Sequence, residues 1–239
     1  AFSNHDRYMM LAGYGNKTVR ATFHSFENKI IPLPIPAMNT YDFPKNKNFE
    51  TARKNFLWFG GGGALLKGLD LVVEVFASLP HLNLIIIGPS GYEEGFEKIY
   101  AKELNLPNIK RYERPYINKK GDIRVGDKNI LELFNQCAAT VFFSASEGGS
   151  GSVVQAMQAG LYPIITPQAG IDEGAPSIIL EDPTIENIRK AIVEFSNLPR
   201  EKIKELSKNS WSFAKNHYTK ETFTKSFRDF IDNVLKLKQ

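Results

Sequence analysis

Residues 56–76 read FLWFGGGGALLKGLDLVVEVF, and their pattern decides the fold. Phe56 to Phe59 form a short apolar run of the strand type. Four consecutive glycines, Gly60 to Gly63, then break any regular structure. Leu69, Val72, Val73 and Phe76 follow at the i, i+3, i+4, i+7 spacing of one helix face, and Leu79 extends it. The unit is strand, turn, helix, and it recurs. Further short apolar runs lie at Leu84–Ile87, Ile109–Tyr112, Thr140–Phe143 and Tyr162–Thr166, each followed at a distance that accommodates a crossover helix. Leu84-Ile85-Ile86-Ile87 is apolar throughout, as expected for a strand covered on both faces. This alternation predicts a parallel, doubly wound, Rossmann-like sheet in a three-layer α/β/α arrangement.

The two ends read differently. Residues 1–50 hold a short apolar run near Tyr8–Leu11 and a helical pattern from Asn16 to Phe26. In Ile31-Pro32-Leu33-Pro34-Ile35-Pro36, prolines at every second position exclude a helix and a central strand, so an extended connector is expected. From Pro183 onward the pattern is helical. Ile185, Ile188, Ile192 and Phe195 form one stripe, and Phe223, Phe227, Phe230 and Val234 another.

Composition sets the outer bounds. At about 150 residues per domain, the 239 residues amount to roughly one and a half domains. A hydrophobic fraction of 42% and a charged fraction of 23% exclude a disordered chain. The single cysteine, Cys137, excludes an internal disulfide and a thiolate zinc site, and it favours a reducing, cytoplasmic setting. No apolar run approaches the roughly 20 residues of a membrane span. A start at Ala1, not Met, is what a processed chain or a piece of a longer protein would show. The net charge is +4, but the lysines are dispersed, not gathered in one stripe, so nucleic acid is not the expected partner. A polyanionic small molecule or an anionic membrane surface suits the same charge.

In a parallel sheet, ligands bind where strands end and helices begin. Four loops qualify. In Trp58 to Gly68, the glycines Gly61, Gly62 and Gly63 let backbone amides approach an anion, and Lys67 opens the next helix, where a cation needs an anion beside it. Gly88-Pro89-Ser90-Gly91 ends the second strand and either lines a pocket or makes a tight turn. Tyr112 to Gly126 reads as a long polar surface loop in which Arg114-Pro115-Tyr116 could meet a base. Ser144-Ala145-Ser146-Glu147-Gly148-Gly149-Ser150-Gly151-Ser152 ends a strand and opens the helix Val153–Ala159. Its bare amides and hydroxyls suit a diphosphate, while Glu147 is placed to accept hydrogen bonds from sugar hydroxyls. Two phosphate motifs are absent. Lys67 precedes Gly68 with no Ser or Thr after it, so no Walker loop is present. Leu65 falls where a dinucleotide fingerprint needs its third glycine, which disfavours hydride transfer with a nicotinamide cofactor.

The ordered set F-G-loop-K-G-L-D, strand-G-P-S-G, then S-A-S-E-G-x-S-G-S-V-x-x-x-M-x-x-G-x-x-P-I-I resembles the C-terminal lobe of family 4 glycosyltransferases. These are retaining, nucleotide-sugar-dependent enzymes with two Rossmann-like lobes, the GT-B type. The likeness runs from about Asn55 to Pro176, and Gly15-Asn16-Lys17-Thr18 is similar to the last element before the interlobe linker. It implies that residues 1–38 are a remnant of an N-terminal lobe with its linker. Residues 39–239 would then be the donor-binding lobe, with a helical tail over 183–239 that reaches back to the other lobe.

By resemblance, Lys67 neutralises the donor diphosphate and Glu147 contacts the donor sugar. Gly61, Gly62, Gly63, Gly88, Ser90, Tyr116, Ser146, Gly148, Gly149, Ser150, Gly151, Ser152 and Gln155 complete the implied donor site. Two positions depart from the family pattern. The second signature glutamate, a ribose ligand in the family, falls on Gln155, whose amide can still bond a diol. The arginine five residues before the lysine falls on Gly62. Branches reading W-F-G-x-x-G-x-x-x-K-G-L-D share both departures, so they mark a subtype.

No D-x-D occurs, so neither a metal nor another cofactor is expected; Lys67 and the helix end would meet the diphosphate charge. His5, His24, His81 and His217 show no ligand spacing. The implied activity is hexosyl transfer from a nucleotide-diphospho-sugar to a glycan or lipid-linked acceptor held by a missing lobe. It belongs with capsular, O-antigen or other surface polysaccharide synthesis, in the cytoplasm or peripherally at the inner membrane face. A non-catalytic sugar-nucleotide-binding or interaction module is the alternative. A sugar-nucleotide epimerase of the same plan would need more acid/base groups than Glu147 supplies.

Overall fold

The computed structural model of the chain describes residues 9–12, 21–88, 93–113, 115–119 and 123–236. Its first strands, β1 (Met9–Ala12) and β2 (Ile30–Leu33), pair in parallel with each other, Met9 opposite Ile30. The first half of the expected proline connector is thus a strand. Pro32 is tolerated because a strand of a two-stranded sheet has one row of amides that needs no partner. Residues His24–Lys29 form a 3-10 helix, and residues 16–20 of the expected helix Asn16–Phe26 lie outside the described part.

After α1 (Phe49–Ala52) come β3 (Asn55–Phe59), α2 (Leu69–Ala77), β4 (Asn83–Ile87), α3 (Glu94–Ile99), α4 (Ala101–Leu104) and β5 (Ile109–Tyr112). A small antiparallel sheet follows, β6 (Tyr116–Ile117), β7 (Ile123–Val125) and β8 (Lys128–Asn129). Then α5 (Ile130–Gln136), β9 (Ala139–Phe142), α6 (Gly151–Gln158), β10 (Tyr162–Ile165) and β11 (Ile178–Ile179) complete the alternation. The main sheet is parallel throughout, in the order β11-β10-β9-β3-β4-β5. Each of the five predicted apolar runs is a strand of it, with ends shifted by at most one residue. The expectation of an irregular loop over 112–126 is corrected by the antiparallel sheet. The missed signal is Gly126-Asp127, a two-residue turn that puts Val125 opposite Lys128.

Successive residues of the central strands serve opposite faces. Phe56, Trp58, Leu84 and Ile86 enter the core that holds Val72, Phe76, Ile188, Ile192 and Phe195. Leu57, Ile85 and Ile87 enter a second core with Ile130, Leu133 and Phe134 of α5. Two apolar faces explain why these strands do not alternate in polarity. The tail consists of α7 (Ile185–Asn197), α8 (Arg200–His217) and α9 (Lys220–Lys236). Thr184 caps α7 by accepting the Asn187 amide at 3.2 Å. Ile188, Ile192 and Phe195 of the first stripe are buried, but in the α9 stripe Phe227 is 37% exposed, and nearby Ile231 and Leu235 stand out further. Among the described residues, no helix is long and apolar enough to cross a membrane.

One buried group opposes folding. Among the described residues the Lys47 ammonium is buried without a hydrogen-bond partner, and the Phe49 ring lies 5.7 Å away. Burial lowers its pKa from 10.5 to about 8, and the neighbouring Cys137 thiol, itself pushed up to about 12 by burial, offers little compensation. The unfolded chain therefore binds the Lys47 proton more tightly than the folded one, and stability rises as pH goes from about 8 to 10.5. Lys47→Met is expected to raise the thermal midpoint at neutral pH by several degrees, with an advantage that shrinks across that same alkaline range. Calorimetric scans of both proteins at a series of pH values check this.

Candidate functional site

Strand β3 pairs with β4 along its full length, but with β9 only through Phe56–Ala139 and Leu57–Thr140. The Thr140 hydroxyl donates to the Leu57 carbonyl at 3.1 Å, and beyond that point the pairing stops. The order of strands also reverses here. From β3 the chain runs outward through β4 to β5, then returns to β9 on the other side of β3. Such a switch point opens a crevice at the carboxyl ends of the strands. The first and fourth glycine-rich loops border it.

The two loops are joined through one carbonyl. Leu66 O accepts the Ala145 amide at 2.9 Å and the Ser144 hydroxyl at 3.2 Å. Gly68 sits at φ +65°, where a Cβ would lie 2.5 Å from the Phe143 carbonyl oxygen, so only glycine allows this approach. Trp58, fully buried, donates its indole N–H to the Lys67 carbonyl at 3.3 Å. The Lys67 side chain then crosses to the other loop, and its Nζ lies 3.0 Å from Glu147 Oε1, with the two side chains 17% and 20% exposed.

The second loop is held from β10. Thr166 Oγ1 donates to the Ser144 carbonyl at 2.6 Å, and Ser150 N donates to the Ala169 carbonyl at 2.9 Å. Gly170, at φ +70°, packs against Gly149, with room for no Cβ: one would stand 2.9 Å from Gly149 Cα. Ser150 caps α6, its hydroxyl accepting the Val153 amide at 3.4 Å. The expected run of bare amides from 148 to 152 is therefore interrupted, since Ser150 uses its N–H on Ala169. The amides of Gly148, Gly149, Gly151 and Ser152 have no hydrogen-bond partner among the described residues, and the positive end of α6 adds to them.

The remaining predicted residues fall in different places. Gly61, Gly62 and Gly88 line a cavity of about 320 Å³ with Trp58, Leu69, Ile86 and Phe96. Gly63 is beside Lys67, and Ser146 donates its amide to Ser144 Oγ at 3.3 Å. Ser90 lies outside the described residues. Tyr116 does not line the cavity; it is exposed on β6, and its hydroxyl donates to the Gly126 carbonyl at 3.1 Å. Gln155 is buried, with both amide atoms bonded to the backbone of Asn39. Burial raises the carboxyl pKa of Asp70, in the first turn of α2.

Glu93, Thr166, Trp58 and Asn39 carry contacts that sequence reasoning missed. Glu93 Oε1 accepts the Ala64 amide at 2.6 Å and so pins the glycine-rich loop. A tryptophan one residue short of a glycine run, and a threonine directly after a strand, were the available signals for two of them. Among the described residues, no three His, Cys, Asp or Glu side chains converge as a metal site would need.

Chemically, the crevice offers the Lys67 ammonium paired with the Glu147 carboxylate, beside several amides that are unbonded among the described residues. An anion entering it can take Lys67 from Glu147 and accept from the amides. Glu147, so released, can accept from hydroxyl groups on the same ligand.

Residues 42–213 match the family model described as glycosyl transferases group 1. No curated protein matches the chain. Among solved structures, the fold is similar to sucrose-phosphate synthase from Thermosynechococcus elongatus, with TM-score 0.72 and 11% identity over 95% of this chain and 58% of that one. It is also similar to S. aureus TarM in a complex with fondaparinux, alpha-GlcNAc-glycerol and UDP, with TM-score 0.69 and 15% identity over 95% and 44%. HepE of Anabaena in complex with UDP gives TM-score 0.67 and 13% identity over 95% and 64%. The chain thus spans between 44% and 64% of the length of these proteins.

The packing of Gly170 on Gly149 gives a direct test of how the second loop is held. Gly170→Ala adds a strained positive φ and displaces the loop, at a cost of about 2 kcal/mol. Urea denaturation should show the lower stability, and amide NMR shifts should change most over 144–152.

Proposed function

Because the chain belongs to the glycosyl transferases of group 1, we propose that it is the donor-binding, C-terminal lobe of a retaining, family 4 hexosyltransferase that uses a nucleotide-diphospho-sugar. The observation that carries this reading is the Lys67–Glu147 pair, which bridges the two loops at the switch point beside the free amides of α6. Lys67 and the amides of Gly148, Gly149, Gly151 and Ser152 stabilise the leaving diphosphate as the bond to the anomeric carbon breaks. Glu147, exchanged out of its ion pair, accepts from the sugar hydroxyls and orients the ring. The acceptor attacks from the face that the diphosphate leaves. Gly62 supplies no guanidinium, and the amides of the glycine-rich loop take that place. The reaction in this reading requires no metal.

The acceptor, a glycan or a lipid-linked sugar, belongs to a second lobe. Support comes from the partial span of the GT-B-type structures matched, and from the α9 stripe that this chain leaves half-exposed. Residues 1–38 are then the end of that lobe with its linker, and 39–239 the donor lobe with its tail. Surface polysaccharide assembly in the cytoplasm, or at the inner membrane face, is the proposed setting. A second reading, a non-catalytic sugar-nucleotide-binding module, is favoured by Gly62 and by the engagement of Gln155 with Asn39.

Titration calorimetry with UDP, GDP and ADP sugars tests the donor reading. The isolated chain should bind one of these weakly and transfer no sugar. Lys67→Ala should weaken that binding by about tenfold or more, the worth of a hydrogen bond to a charged group. Equal affinity in the two proteins would remove Lys67 from the site. Sugar transfer by the two-lobe protein separates the enzyme from the non-catalytic module.

A further inference from the structure

Gln155 lies in the second turn of α6 and is 2% exposed. Its Oε1 accepts the Asn39 amide at 3.0 Å, and its Nε2 donates to the Asn39 carbonyl at 2.9 Å. One side chain thus bonds both polar groups of a single residue 116 positions earlier, in the manner of one strand bonding another. We infer that Gln155 is a positioning residue: a latch that fixes the segment 37–41, and with it the path of the chain toward β2, onto the helix that begins at the crevice.

The residue type is the one this contact needs. The Asn39 backbone offers one donor and one acceptor, so its partner must supply one of each. An amide does; an ionised carboxylate has acceptors only and would face the Asn39 carbonyl with negative charge. Glutamine where the family pattern has glutamate is therefore explained by a contact within the chain. The neighbouring contacts hold the same segment. Ala37 N donates to the Tyr218 carbonyl at 3.0 Å, and Trp211 Nε1 to the Tyr41 carbonyl at 2.8 Å. Almost one turn beyond, Gln158 Nε2 donates to the carbonyls of Ala214 at 2.8 Å and Tyr218 at 3.2 Å. Two glutamines on one short helix thus tie the segment 37–41 and the end of α8 to the element whose first turn lines the crevice.

Amide hydrogen exchange followed by NMR tests the latch with no nucleotide present, so its outcome is independent of the donor reading. In the unmodified chain, the Asn39 amide should be protected by at least about tenfold over its intrinsic rate. In Gln155→Met that protection should be lost, while the Leu84 amide, bonded to the Asn108 carbonyl in the central sheet, stays protected. Gln155→Glu separates the latch from simple packing. Its buried carboxyl, with a raised pKa, is protonated at about pH 5, where it has one donor and one acceptor again. Ionised at about pH 8, it can still accept the Asn39 N–H but repels the Asn39 carbonyl, so Asn39 protection should be weaker at about pH 8 than at about pH 5. Equal protection of Asn39 in the Glu variant at the two pH values would overturn the inference. So would an unprotected Asn39 amide in the unmodified chain, a measurement that needs no variant to fold.

Discussion

The pairing of β3 with β9 stops at Leu57–Thr140, and the organisation of the crevice follows from that arrest. Had the two strands paired to their ends, the segments after Phe59 and Phe142 would have been held edge to edge with no space between them. Because they part, each strand delivers a loop to one side of an opening. The loops are then held to each other through the Leu66 carbonyl and by the close passage of Gly68 along Phe143. Placement of Lys67 against Glu147 depends on all of these contacts, and on the Trp58 indole beneath them.

The electrostatics of the crevice are those of a site balanced against itself. Lys67 at the opening of one helix and the unbonded amides at the start of another are both electropositive, and Glu147 supplies the only carboxylate described in direct contact with that lysine. A partly buried ion pair of this kind contributes little to stability on balance, because desolvation offsets much of the attraction. It also permits exchange: an anion that replaced the carboxylate would leave no buried cation unpaired. Glu93 makes a comparable contact with the Ala64 amide on the glycine-rich loop.

The elements at the two ends stand apart from the main sheet. β1 and β2 form a parallel pair outside the main sheet, and α9 lies beside β2 with part of its apolar stripe exposed. Parallel strands are normally covered on both faces. Beside these elements, the segment 37–41 is firmly held, through Tyr218, Gln155 and Trp211.

The sequence by itself determined five of the six strands of the main sheet, all but the short β11. Its five apolar runs, the helical spacing between them and the glycine-rich strand ends are local patterns, and burial on two faces leaves a local signature in each strand. The two loops of the crevice were legible for the same reason, since glycine, lysine and glutamate at strand ends announce themselves without their partners. What only the tertiary structure decided are contacts between distant residues. Ser150 N–H is taken by Ala169, Glu93 pins Ala64, Tyr116 turns to Gly126 and not to the cavity, and Gln155 binds Asn39. None of these has a spacing to read. A side chain with both donor and acceptor serves a ligand or a backbone equally well, and only the fold brings one of the two within reach.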